Sequence, residues 1–423
     1  MLPWFICALA ATFYCYEYLL RITPGLMVEH LQMAFSVNGV PLDATKLGHL
    51  SAFYYYAYTP MQLPVGLMMD RYGPRNILSI AVLSCAGGTL LFAYAPTLAM
   101  AALGRFLIGF GSAFAFVGVL KLASTWLPPN RFALVSGLTT TLGMIGAMFA
   151  GTYLSLVIED IGWRQTLYYS SFVGFILFPI IWFIIRDQPK NPLDNHSAAQ
   201  DIDISYSQLL KDIGVALKNK QIWLNGFIGS LLMAPTVVFA ELWGTSYLKT
   251  VESFDVGMAS KAVAMVFLGW GIGSPIMGYL SDKIGRRKPL LLIGTLMVTI
   301  LLALVFYFPN LTFMHISVIL FFVGVFSSAE ILCFAIGREN FPVHLSGTII
   351  AVTNFMVVSG AIFQVMVGKL LDRSWSGQLV DMMKVYSAND YRSALFLLPI
   401  LTLTALILTF FLRETYCKQV VED

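Results

Sequence analysis

Apolar runs of 18 or more residues recur along the whole chain, and no other feature limits its fold so strongly. Each run is long enough to cross a hydrocarbon core of about 30 Å as an α-helix. Backbone in lipid cannot leave its N–H and C=O groups open, so each run has to be helical. Spans are expected at 3–31, 47–69, 76–94, 98–124, 132–157, 164–186, 222–248, 259–281, 289–307, 312–337, 345–371 and 392–413. The fold class expected is an all-α membrane protein with twelve transmembrane helices. Composition agrees, since 58% of the 423 residues are hydrophobic and only 12% are charged. The first run lacks a basic leader, and Glu17 and Arg21 interrupt it, so it reads as a span and not as a cleaved signal.

Six ionisable side chains lie inside these runs: Glu17, Arg21, Arg105, Lys121, Glu241 and Glu330. A charge at bilayer depth costs roughly 2.5–3.5 kcal/mol on insertion scales unless it meets a cavity or a partner. Three acids and three bases can be neutral as a set, which implies a polar interior. Nucleic acid is excluded as a partner, because the net charge is only +3 and no basic patch is interleaved with aromatics. Enzymatic chemistry has no constellation to work with: there is no His cluster, no H-E-x-x-H and no ATP-binding Walker segment. Neither metal nor cofactor is expected. The cysteines, at 7, 15, 85, 333 and 417, imply no disulfide framework.

The chain divides six spans and six. Residues 1–186 form the first half and 222–423 the second, joined by 187–221. That joining stretch starts as a Pro, Asn, Asp and Ser-rich linker. It ends in QLLKDIGVALKNK, where Leu209, Leu210, Ile213 and Leu217 share a helical face, as in a helix lying on membrane lipid or in an ordinary surface helix. With the N-terminus inside, the inward loops and tail hold 15 basic residues and the outward loops 7, which puts both termini in the cytoplasm. An internal repeat supports the division. GLMMDRYGPRNIL (66–78) follows the second span and GYLSDKIGRRKPL (278–290) the eighth. At one offset Gly66, Asp70, Gly73 and Arg75 match Gly278, Asp282, Gly285 and Arg287, with Arg71 and Arg286 beside them. Such a Gly/Asp/Arg turn can lock and release helix ends, a gating role.

The repeated G-x-x-x-D-[RK]-x-G-x-R segment resembles the loop signature of the major facilitator superfamily, and the fourth span carries a second likeness in GRFLIGFGSAFAFVG (104–118). Pro74 departs from the usual basic residue of the first loop, and Ile108 from a common Gln. The fifth span has no Gly-Pro pair, which the family's antiporter signature contains, so uptake or symport is favoured over efflux. Residues 51–76 and 109–148 look like the phagosomal transporter family of intracellular bacteria, which imports amino acids and, in some branches, nucleosides. The resemblance implies two pseudo-symmetric six-helix halves in a bacterial inner (cytoplasmic) membrane, and spans 1, 4, 7 and 10 around a central cavity. All six buried charges fall on those four spans.

The expected function is secondary transport of a small molecule by alternating access, with the proton gradient as driving force and the protein a monomer. A zwitterion such as an amino acid fits the charges. Arg21 or Lys121 would hold its carboxylate and Glu330 or Glu241 its ammonium, with Ser51, Tyr54, Tyr58, Gln62 and Asn354 supplying the rest of the pocket. A nucleoside, dipeptide or organic anion, or drug or siderophore efflux, are the alternatives, as is a sensor that binds without transporting. Glu17 is the first choice for the proton and Glu241 the second; the resemblance associates Arg105 with coupling. By depth, at about 1.5 Å per residue, Arg105 and Glu241 form one level and Lys121 and Glu330 another, which suggests two ion pairs between the halves. Arg105 and Lys121 point about 160° apart on an ideal helix, so a bend is needed for both to face one cavity.

Overall fold

The computed structural model describes residues 2–36, 41–127, 131–188, 206–308, 311–342, 345–380 and 383–418. The chain is helical almost throughout, and the described residues contain eleven helical stretches long and apolar enough to cross a membrane. They run from Leu2–Leu26 to Ala388–Phe411 and match eleven of the expected spans closely. The second expected span, 47–69, is built differently. It is a helix Ala44–Met61 and a shorter helix Val65–Tyr72, separated by a turn before Pro64. Its four tyrosines, two serines or threonines and a glutamine lower its hydropathy, as befits a helix whose neighbours are protein.

Several spans depart from regular α-helix. The fourth breaks between Leu98–Ser112 and Ala115–Trp126. The fifth contains a π-helical turn, Ala150–Leu154, and the seventh a longer one, Pro235–Trp243. The tenth passes through a 3₁₀ stretch, Ser328–Ile331, and the eleventh through another, Ser359–Ala361. Such interruptions collect at functional hinges. A helix Tyr206–Lys218 precedes the seventh span, with Leu210 and Leu217 exposed. The linker residues 189–205 lie outside the described residues. Two short strands, Leu379–Val380 and Met383–Lys384, pair antiparallel before the last span, with Leu379 opposite Lys384.

The chain forms two compact units that interleave in sequence. Unit 1 is Met1–Arg21, Phe53–Ala147 and Asp160–Leu210; unit 2 is Ile22–Ala52, Met148–Glu159 and Lys211–Asp423. Within unit 2 a Cβ at Gly25 would collide with the carbonyl of Glu241, and one at Gly368 with that of Ala44. Backbones approach this closely only where both partners present little side chain.

Candidate functional site

In unit 1, Glu17 and Arg21 stand one turn apart on the first helix and are buried. Arg21 Nη2 donates to Glu17 Oε1 at 3.0 Å and to Oε2 at 3.3 Å. Tyr54, from the second helix, closes the ring: its hydroxyl donates to Glu17 Oε2 at 2.9 Å and accepts from Arg21 Nε at 2.9 Å. Three tyrosine rings surround the guanidinium, with centroids 4.1 Å (Tyr18), 5.0 Å (Tyr58) and 5.3 Å (Tyr54) from its carbon. Cation–π contact of this kind holds a buried cation while leaving part of its edge for a ligand. Tyr54 and Tyr58 stack at 5.5 Å; Ser51 is buried on the same helix and Gln62 in the turn that follows it. Sequence reasoning missed Tyr18, although its position three residues before Arg21 was a readable signal.

Arg105 is fully buried and serves the first helix directly. Its Nη1 donates to Leu20 O at 3.0 Å and its Nη2 to Arg21 O at 3.3 Å. Pro24 has no N–H to give the carbonyl four residues earlier, which is that of Leu20. Arg105 replaces the missing donor. Gly109, one turn on, brings the fourth span against the backbone of Tyr54, where a Cβ would clash with its carbonyl.

Lys121, expected to line the cavity, is the partner of Asp70 in the first signature loop, at 2.6 Å. The two side chains are 36% and 58% exposed, so this is a solvated pair. Counting residues placed Lys121 at depth; its four-carbon stem carries the ammonium to a solvated partner instead. Of the two ion pairs expected between the halves, then, Arg105 and Lys121 both have other partners.

In unit 2, Glu330 is 3% exposed and sits inside the 3₁₀ stretch of the tenth span. Its Oε1 has no hydrogen-bond partner among the described residues. Glu241 is buried in the π-helical turn of the seventh span. There Gln364 Nε2 donates to Val237 O at 2.8 Å, and Trp243 Nε1 donates to Gln364 O. Asn354 lies half-buried on the eleventh span.

The signature loops use their matching residues differently. In the first, Gly73 turns at φ 78°, and a Cβ there would meet the Asp187 carboxylate. Arg75 donates its backbone N–H to Asp187 and its Nε to Trp182 O, and stacks on Trp182; Arg71 lies over Tyr72. In the second, Gly285 ends its helix at φ 70° and Arg286 lies over Tyr416. Arg287 binds Asp282 at 2.6 Å and Glu339 at 2.7 Å. Burial works against the Arg287 charge, but Glu339 and Asp282 outweigh it and hold the group above its ordinary value. Glu414 accepts from the backbone N–H of Arg287 and Lys288. A Cβ at Gly66 or Gly278 would meet nothing within 4 Å.

The family model of the Major Facilitator Superfamily matches residues 5–365. The chain is 25% identical over 257 residues to a probable sulfoacetate transporter, SauU, of Cupriavidus necator, an alignment covering 58% of each protein. It is 22% identical over 363 residues to the D-galactonate transporter of Escherichia coli O6:H1, covering 80% of this chain and 82% of that one. Its fold is similar to a crystal structure of a bacterial homologue of the human lysosomal transporter Spinster, inward-facing and unoccupied. The TM-score is 0.77 at 14% identity, with 97% of each chain covered.

Proposed function

We propose that this chain, which belongs to the Major Facilitator Superfamily and is a secondary transporter and not an enzyme, carries a small organic anion together with protons. The observation behind this reading is the Arg21–Glu17–Tyr54 ring. A guanidinium fork with a tyrosine hydroxyl beside it is built to take a carboxylate or sulfonate in two hydrogen bonds. In the ring Glu17 occupies that place. When Glu17 takes up a proton it no longer competes, and the substrate's anionic group replaces it on Arg21 and Tyr54. When the substrate leaves, Glu17 gives up its proton and returns.

The exchange makes coupling obligatory. Leaving Arg21 unpaired at this depth would cost about 3–5 kcal/mol, so an empty, protonated cluster is scarce. One proton in and one negative charge in leave the cluster's net charge unchanged. The protein spans an inner membrane twelve times with both termini in the cytoplasm and works as a monomer. The substrates for which these relatives are named, sulfoacetate and D-galactonate, are organic anions, which supports anion over zwitterion. An amino acid is the second reading. It needs an additional anionic contact for its ammonium, and the buried Glu241 in its π-helical turn is the feature that favours it.

The test is uptake of labelled D-galactonate, sulfoacetate and neutral amino acids into proteoliposomes with acid outside. Arg21→Ala is expected to abolish anion uptake. Glu17→Gln is expected to bind the anion but to lose stimulation by the pH gradient. Wild-type anion uptake by Arg21→Ala would sink the assignment.

A further inference from the structure

We propose that the junction of the helix Tyr206–Lys218, the start of the seventh span and the end of the last span is a binding site for one anionic phospholipid. The helix presents three different sides in three consecutive residues. Ala216, Leu217 and Lys218 point about 100° apart in turn. Ala216 is fully buried, so its side lies on protein. Leu217 and, seven residues earlier on the same side, Leu210 are exposed. Lys218 and Lys211, one step further round, are exposed as well.

The apolar side of this helix continues the lipid-facing surface of the seventh span. Trp223 Nε1 donates to Leu217 O at 2.9 Å, which pins the indole of the span to the end of the helix. Trp223 and Phe227 are exposed one turn apart, with ring centroids at 6.1 Å. Exposed aromatic side chains on an apolar span of this length face acyl chains, and a tryptophan at the end of such a span sits at headgroup level. Leu217, bonded to that indole, stands at the same level. Its side chain and that of Leu210 then rest on the upper part of the acyl chains.

Cations gather at this level. Arg413 N donates to Gln221 Oε1 at 2.9 Å, which brings the end of the last span to the first turn of the seventh, beside Lys220. Lys218, Lys220 and Arg413 are exposed, and none of the three forms an ion pair among the described residues. The acids nearest in sequence do not neutralise them. Glu414 is committed to the backbone N–H groups of Arg287 and Lys288, and Asp212 points about 120° away from Lys218 around its helix. Three like charges at one place repel one another unless they share an anion. A phosphodiester is such an anion, and at headgroup level it comes attached to acyl chains that cover Leu210, Leu217 and Trp223. Phosphatidylglycerol brings a negative charge that nothing in its own headgroup balances, whereas phosphatidylcholine brings its own cation. The bound lipid thus holds the joining helix to the seventh span by charge as well as through the Trp223 bond.

The test uses the full chain in detergent at low salt, with bound lipid counted by native mass spectrometry. Dioleoylphosphatidylglycerol should bind the wild type at least about tenfold more tightly than dioleoylphosphatidylcholine, and the difference should shrink as salt is raised. The variant Lys218→Gln/Lys220→Gln/Arg413→Gln should bind phosphatidylglycerol at least about tenfold more weakly than the wild type. Its three changes are on exposed side chains, so without lipid it should unfold at the wild-type temperature. The variant Lys261→Gln/Lys369→Gln/Arg373→Gln removes three exposed cations elsewhere and should bind phosphatidylglycerol as the wild type does. Equal affinity of the wild type for the two lipids overturns the proposal, as does wild-type binding by the first variant or an equal loss in the second. Displacement of the lipid by inorganic phosphate at an equal concentration also overturns it, since the cations would then hold phosphate without any contribution from the acyl chains.

Discussion

Pro24 and Arg105 form a pair that neither residue's own chemistry announces. The proline leaves the carbonyl of Leu20 without its helical donor, at the depth where Arg21 must be held still. Arg105 supplies the donor from another helix and adds a bond to Arg21 O. A buried carbonyl without a partner costs about 1–3 kcal/mol. The pair can be tested with a double-mutant cycle read by thermal unfolding in detergent. Arg105→Met should destabilise by about 1–3 kcal/mol, and Pro24→Ala should recover about 1 kcal/mol or more of that, because alanine returns an N–H to Leu20. The same proline change in the wild type should give no gain. Additive effects would show that the arginine does not serve this carbonyl. Residue-scale reading of the sequence found Arg105, Glu17, Arg21 and Tyr54 through the expense of burying polar groups. It could not find their partners, because helical spacing tells which residues share a face and not what lies opposite. Lys121 shows the limit: counting gave its place along the helix, and its ammonium is found beside Asp70 in a solvated pair.

At the scale of elements, the second helix is the instructive case. Hydropathy placed a span at 47–69, but the helix starts at Ala44, and its first turn is held by another span. Asp372, at the end of the helix Ile362–Ser374, accepts from Thr45 N at 2.8 Å and Thr45 Oγ1 at 2.5 Å. Its other oxygen accepts from Lys384 Nζ at 3.0 Å and Tyr386 OH at 2.7 Å, and Tyr386 OH accepts from Ala44 N. The small hairpin before the last span delivers the lysine and the tyrosine. A helix's first N–H groups have no internal partner and favour a negative charge, so one carboxylate here caps the second helix from the eleventh span. Sequence could not show it, because Asp372 reads as an ordinary acid at a span end. Loss of the cap should be visible without any transport assay. Asp372→Ala is expected to speed hydrogen exchange at Ala44 and Thr45 about ten- to hundredfold, matching a loss of about 1–3 kcal/mol. Exchange at the wild-type rate would mean that the helix start is held by something else.

Across the whole molecule the repeat was the most legible feature of the sequence, and the two copies nonetheless perform unequal work. Both loops turn on a glycine with positive φ, and both receive a carboxylate from a residue that follows a later apolar helix, Trp163–Ile184 or Ala388–Phe411. Asp187 accepts from Arg75 N and Glu414 from Arg287 N. That correspondence was hidden because Arg186-Asp187 and Arg413-Glu414 stand at a different offset from the loops they serve. The acids of the signature then diverge. Asp70 is bound to Lys121 in a pair open to solvent, while Arg287 is buried between Asp282 and the buried Glu339. Exposed pairs contribute about 0–1 kcal/mol, and breaking a buried one by removing a partner costs about 3–5 kcal/mol. The first loop is thus the softer lock and the second the stiffer one. Lys121→Met should shift stability to denaturant by less than about 1 kcal/mol, with the pair's contribution fading at high salt. Glu339→Gln should lower it by about 3–5 kcal/mol with little salt dependence. Alkaline pH should not weaken the second lock either. Arg287 is held above its ordinary value, so its contribution is complete below that value and is lost only as pH climbs through the raised one. Equal losses from the two substitutions would show that the repeat works symmetrically and that the buried Glu339 adds nothing to its loop.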